Sequence, residues 1–106
     1  DKDQTEIIYS KRSFIYDLEN IINQRIAESD ESSYTFQLIS SGSGLMAKKL
    51  VEESAELAVA SLEQPIKREE LLWESADLMY HLLVLMRAND ISFDDLSNEL
   101  ESRHHK

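Results

Sequence analysis

Apolar residues return every three or four positions through most of this chain, and that period confines it to helices. From Lys11 to Ala27, the residues Phe14, Ile15, Leu18, Ile21, Ile22 and Ile26 form one stripe on an otherwise polar segment, so an amphipathic helix is predicted there. Two glycines and one proline in 106 residues leave few places for the tight turns of a β-rich fold.

The polar run Glu28-Ser29-Asp30-Glu31-Ser32 breaks the stripe. Ser33 can then cap a short helix through Ile39, before Ser40-Ser41-Gly42-Ser43-Gly44 interrupts the backbone again. Leu45 to Glu63 reads as a long helix with apolar contacts from Met46, Leu50, Leu57 and Leu62. It stops at Gln64-Pro65, since proline lacks the backbone donor and disfavours helix before it. A second long helix runs from about Lys67 to Ala88. Late in it Leu78, Met79, Leu82, Leu83, Leu85 and Met86 leave it apolar around much of its circumference, as a central or interface helix requires. The Met and Leu stripe is expected in the core, and Trp73 and Tyr80 in a core or an interface. Ser92-x-x-Asp95 resembles a capping box, with Ile91 and Leu96 at the spacing of a hydrophobic staple, so a last helix starts there. Arg103 to Lys106 should fray, and His104 and His105 receive no role. The expected fold is all-α, an antiparallel bundle of four to five helices in a single domain over residues 1–106. The chain opens on Asp1, so residues 1–9 read either as a tail or as a linker from an upstream domain.

A formal net charge of −10 argues against binding a nucleic-acid backbone or an anionic membrane. A small anionic nucleotide stays allowed, because a bound divalent cation reverses the local sign. The absence of cysteine excludes disulfides, thiolate nucleophiles and zinc–cysteine sites, and makes the cytoplasm the default expectation. The longest apolar stretch, Leu78 to Met86, is far short of the roughly 20 residues a membrane span needs, so a soluble protein is expected. A chain of this size buries only about two-thirds of its unfolded surface, and a partner subunit would help it.

The chemistry concentrates in Glu52-Glu53-x-x-Glu56 and Glu74-x-x-Asp77. At about 100° per residue Glu53 and Glu56 lie roughly 60° apart on the helix and Glu52 roughly 40° from Glu56, so the three share a face. Glu74 and Asp77 are neighbours on the next helix, with Glu70 one turn before and His81 one turn after. Alone, an E-E-x-x-E string reads as a solvated helix face. Two matched clusters joined by a short link would instead face each other when the helices pack, and their repulsion needs a counter-charge. Oxygen donors without cysteine or paired histidines suit Mg²⁺, or Mn²⁺ in its place, better than zinc. A di-iron bundle requires two Glu-x-x-His motifs, and the chain has only Glu101-x-x-His104. Lys48 and Lys49 serve either as phosphate contacts or as charge partners of Glu52 and Glu53. His81 on a mostly apolar helix is, on its own, more often a hydrogen-bonded packing residue than a catalyst.

Taken together, Ser33-Tyr34-Thr35, Ser41-Gly42, Ala47-Lys48-Lys49, the two acidic motifs and Tyr80-His81-Leu82-Leu83-Val84-Leu85 resemble the phosphoribosyl-ATP pyrophosphohydrolases of histidine biosynthesis. That family sits within the all-α nucleotide pyrophosphohydrolase superfamily, whose signature is E-E-x-x-E followed by E-x-x-D. The resemblance runs from about Ser33 to Leu100. Ser43 stands where the family often has proline, and Ser54 where alanine is usual.

The resemblance implies hydrolysis of the α–β phosphoanhydride of phosphoribosyl-ATP, giving phosphoribosyl-AMP and pyrophosphate. It implies Mg²⁺ as cofactor, a bundle completed by homodimerisation, and in fused relatives a preceding cyclohydrolase domain. Glu53, Glu56, Glu74 and Asp77 are then the expected metal-binding and catalytic residues. Lys48, Lys49, Glu52 and His81 are the expected substrate contacts. Two further readings stand beside it: a pyrophosphohydrolase of other nucleoside triphosphates, and a non-catalytic acidic helical module that dimerises or docks a basic partner.

Overall fold

The computed structural model describes the backbone of residues 2–104 and the side chains of residues 14–42 and 44–104. Five helices follow one another, α1 (Lys2–Glu28), α2 (Tyr34–Ser40), α3 (Ser43–Leu62), α4 (Arg68–Ala88) and α5 (Phe93–His104), and the described residues contain no strand. The all-α expectation is met. Helix α1 starts nine residues ahead of Lys11 because neither glycine nor proline occurs between Lys2 and Ser10, so nothing in the backbone stops propagation once the amphipathic part is anchored. Asp1 and the side chains of residues 2–13 lie outside the described set, and the expectation of a tail or linker over 1–9 falls largely on them.

Each break has a local cause. The Ser33 hydroxyl accepts from the Phe36 N–H at 3.3 Å and caps α2. Between α2 and α3 the chain reverses at Gly42, whose φ of 94° and ψ of 165° belong to a region that side chains disfavour. Helix α4 ends in a Schellman motif. There Ile91 N–H donates to the Met86 carbonyl at 2.9 Å and Asp90 N–H to the Arg87 carbonyl at 3.2 Å, with Asp90 in the left-handed region at φ 57°. The capping box of α5 forms as expected, with Ser92 N–H donating to Asp95 Oδ2 at 2.9 Å and Asp95 N–H to Ser92 Oγ at 3.0 Å. Arg103 and His104 continue α5, and Arg103 Nε bonds Glu99 Oε2 at 2.9 Å, so fraying does not begin at Arg103; His105 and Lys106 lie outside the described residues.

Ile22 of α1, Leu38 of α2, Met46 of α3 and Leu83 and Val84 of α4 form the core. Helices α3 and α4, joined by a short link, make the most extensive pair in the bundle. Arg87 Nε reaches Asn23 Oδ1 at 2.7 Å and fixes α4 to α1. Helix α5 is held to α1 mainly by polar contacts. Phe93 N–H donates to Glu19 Oε2 at 2.6 Å, Tyr16 hydroxyl to Asp94 Oδ1 at 2.9 Å, and the Tyr16 and Phe93 rings meet edge to face.

The core is smaller than the periodicity suggested. Leu62, expected to make apolar contacts, is 78% exposed, and Trp73 is 69% exposed, so neither belongs to the core of this subunit. A short link lets α3 and α4 pack along one face each, and both residues sit on the faces left over. No described helix is long and apolar enough to cross a membrane.

Candidate active site

Packing of α3 against α4 brings the two acidic motifs together. Carboxylate oxygens of Glu53 and Glu56 from α3 and Glu74 from α4 all lie within 4.8 Å of one another, a spacing that could hold a metal ion. Glu53 is only 8% exposed, Glu74 is half-buried and Glu56 faces solvent, so the set forms a recess with one open side. One oxygen each of Glu53 and Glu74, both Oε2, is buried without any hydrogen-bond partner. A buried polar atom left unsatisfied is costly, and a bound ion would satisfy it. Two such oxygens converging from neighbouring helices fit a hard cation.

Electrostatics agree with the geometry. Burial pushes the Glu53 carboxyl above the ordinary carboxylate range, Glu56 and Asp77 add to the push, and His81 opposes it. Glu74 is raised by desolvation first, then by hydrogen bonding to Glu56 and by the charges of Glu56, Asp77 and Glu53. Asp77 is therefore close enough to act on both electrostatically, but its carboxylate lies outside the triad that converges. Glu52, partly buried on α3, also stays outside it. Among the described residues, neither Lys48 nor Lys49 forms an ion pair with Glu52 or Glu53.

His81 is buried, and both of its ring nitrogens are used. Nδ1 lies 2.8 Å from the Asp77 backbone carbonyl, which can only accept, so the proton sits on Nδ1. Nε2 is hydrogen-bonded to the Tyr34 hydroxyl at 2.8 Å. The Tyr34 ring packs edge-on against His81 and roughly parallel to Tyr80, whose hydroxyl is hydrogen-bonded to Thr35. Desolvation raises the Tyr34 phenol above its usual value, while the charge of Lys49 opposes that shift and Glu53 and Asp77 reinforce it, which places Tyr34 at the rim of the acidic recess. Spacing on α3 and α4 could not reveal this neighbour, because Tyr34 comes from α2. Its one trace in the sequence was the Ser33-Tyr34-Thr35 segment.

Comparison with known proteins follows the same lines. Residues 15–104 match the family described as Phosphoribosyl-ATP pyrophosphohydrolase. A phosphoribosyl-ATP pyrophosphatase of Pyrobaculum aerophilum is 50% identical over 86 residues, covering 81% of this chain and 89% of the relative. One from Metallosphaera sedula is 46% identical, covering 82% and 91% respectively. The histidine biosynthesis bifunctional protein HisIE of Bacillus subtilis is 40% identical over 104 residues, which is 97% of this chain but 49% of that protein. On a match that spans most of its length and includes both acidic motifs, the chain belongs to the phosphoribosyl-ATP pyrophosphohydrolase family.

Proposed function

We propose that this chain hydrolyses phosphoribosyl-ATP to phosphoribosyl-AMP and pyrophosphate in histidine biosynthesis, with Mg²⁺ held by Glu53, Glu56 and Glu74 and with Asp77 completing the acidic field. The observation that carries the metal assignment is the pair of buried, unpartnered oxygens of Glu53 and Glu74 beside Glu56. A solvated acidic face would leave no such atoms, which disfavours a purely docking module. The family match selects phosphoribosyl-ATP over other nucleoside triphosphates.

Water adds to the α-phosphorus, the bond from that phosphorus to the bridging oxygen breaks, and pyrophosphate leaves with the bridging oxygen. A bound Mg²⁺ supplies charge neutralisation at the triphosphate and Lewis acidity. The protein's own groups supply the rest. The carboxylates at the open side of the recess are within reach to accept the proton released by water. Lys49, whose charge acts on Tyr34, and Lys48 one residue before it are the proposed contacts to phosphate oxygens, with Glu52 on the same helix. His81 acts on substrate through Tyr34, which it holds in one orientation.

The working unit we propose is a homodimer. The radius of gyration is 16.1 Å, against about 13 Å for a compact domain of this length. Val51, Val59 and Leu62 on α3, with Leu72 and Trp73 on α4, are exposed apolar residues along adjoining helices. A second copy of the chain supplies a matching apolar surface. The bifunctional relative also fits an arrangement in which a cyclohydrolase works beside this domain, fused or separate.

Pyrophosphate release from phosphoribosyl-ATP, measured with Mg²⁺ and with chelator, tests the reading. Release that requires the cation, and that Glu56→Gln lowers by at least about 100-fold, supports it. Release unaffected by chelator, or a Glu56→Gln variant at near wild-type rate, contradicts it.

A further inference from the structure

The substrate named above carries phosphate at two ends, a triphosphate on one ribose and a single phosphate on the added ribose. The acidic recess accounts for the first end alone. On the far side of Tyr34 lies a cleft of about 340 Å³, lined by Arg25 of α1, Asp30 and Ser32 of the α1–α2 loop, Tyr34 and Thr35 of α2, and Tyr80 of α4. We propose that this cleft is the subsite for the added ribosyl phosphate, with Arg25 bonding the phosphate and Asp30 accepting from the ribose hydroxyls. The proposal rests on the phosphoribosyl-ATP reading and adds to it the means by which the second ribose is recognised.

Position supports it first. Tyr34 forms a wall of the cleft and also bonds His81, which bonds the Asp77 carbonyl, so recess and cleft share one wall. Along α4, Tyr80 is only three residues from Asp77, about 4.5 Å of helix rise. The nucleoside joining the two phosphate ends of the substrate would therefore cross the exposed Tyr34 ring, which is 45% accessible.

The chemistry of the lining supports it independently. A sugar phosphate needs a fixed cation for the phosphate and acceptors for the hydroxyls, and the cleft offers a guanidinium, a carboxylate and several hydroxyls. Ser32 donates its N–H at 2.9 Å and its hydroxyl at 2.7 Å to Asp30 Oδ1, which orients the carboxylate and leaves Oδ2 free of these bonds. Arg25 forms no ion pair within 4.0 Å of a described carboxylate, although its charge acts on Asp30 across the cleft. Two other clefts among the described residues suit a phosphate less well. One, between α3 and α4, is walled by Ala55, Val59, Ala60 and glutamates and has no cation. The other, at the start of α4, sets Glu69 and Glu70 against Lys67 and Arg68 and has no hydroxyl.

Arg25 also sits in the last turn of α1, where a cation stabilises the helix dipole. That role predicts a lower melting temperature for Arg25→Gln with unchanged kinetics. The subsite predicts the reverse. Steady-state pyrophosphate release from phosphoribosyl-ATP should show KM raised tenfold or more in Arg25→Gln, kcat within twofold, and a melting temperature close to wild type. Ribose 5-phosphate should inhibit the wild type competitively and inhibit Arg25→Gln at least tenfold more weakly, Arg25→Lys should recover part of the loss, and Arg68→Gln should match wild type. A KM for Arg25→Gln within twofold of an active wild type overturns the subsite and leaves the proposed activity standing. A wild type that releases no pyrophosphate overturns both.

Discussion

Glu53 sits where a carboxylate is least comfortable: buried, beside two other acids, with one oxygen bonded to nothing. Its raised pKa, and that of Glu74, set a direction for stability against pH. In the metal-free protein the folded state binds protons more tightly than the unfolded state at these sites. Stability from them is therefore full below the ordinary value of 4.5 and is lost as pH rises through the raised values. Asp30 and Asp95 run the other way. Hydrogen bonds from Ser32 and Ser92 hold them below 3.8, so their contribution is lost only as pH falls further into acid. Metal-free protein should accordingly melt lower at pH 7.5 than at pH 5, and Mg²⁺ should recover the difference at pH 7.5. Glu53→Gln should raise the metal-free melting temperature at pH 7.5 by about 4 °C, flatten the pH dependence and abolish the Mg²⁺ response. Calorimetry in chelator checks it, and a metal-free Glu53→Gln that melts lower than wild type goes against the account. The acidic set was legible in the sequence because i, i+3 spacing fixes a shared face within one helix. Tyr34 and Arg25 were not legible as neighbours of α4, because they come from α2 and α1 and no periodicity gives the register of one helix against another.

Between helices, the two junctions that frame α3 and α4 rest on opposite choices of residue. Gly42 takes a conformation only glycine adopts readily, and a Cβ there would meet nothing within 4 Å, so any cost of substitution comes from the backbone alone. Gly42→Ala should cost about 1–3 kcal/mol in urea unfolding. Asp90 occupies a left-handed position where glycine is the commoner residue, and Asp90→Gly should stabilise by roughly 0.5–1 kcal/mol in the same measurement. Equal effects of the two substitutions would mean that backbone strain does not set these junctions. Caps and breaks were read well from sequence, as Ser33, Pro65 and the Ser92–Asp95 box show, because each is a local interaction spanning a few residues. Leu62 was read less well, and Trp73, expected in a core or an interface, is not in the core of this subunit. An apolar residue at helical spacing must be covered by something, but spacing does not say whether the cover comes from the same chain.

For the whole molecule, those uncovered residues and the extended shape point to a second copy. A stable interface hides roughly 800 Å² on each partner, and the exposed Val51, Val59, Leu62, Leu72 and Trp73 supply apolar surface for it. Sedimentation equilibrium at micromolar concentration should find a dimer, and Leu62→Glu combined with Trp73→Glu should yield a monomer that melts at a lower temperature. A wild type that is monomeric at that concentration contradicts the proposal. Binding of one hard cation by Glu53, Glu56 and Glu74 between α3 and α4 is tested most directly by anomalous scattering from crystals soaked in Mn²⁺. A peak bonded to oxygens of these three residues at about 2.1 Å is the predicted result. Soaked crystals with Mn²⁺ bound elsewhere and no peak between α3 and α4 would contradict it.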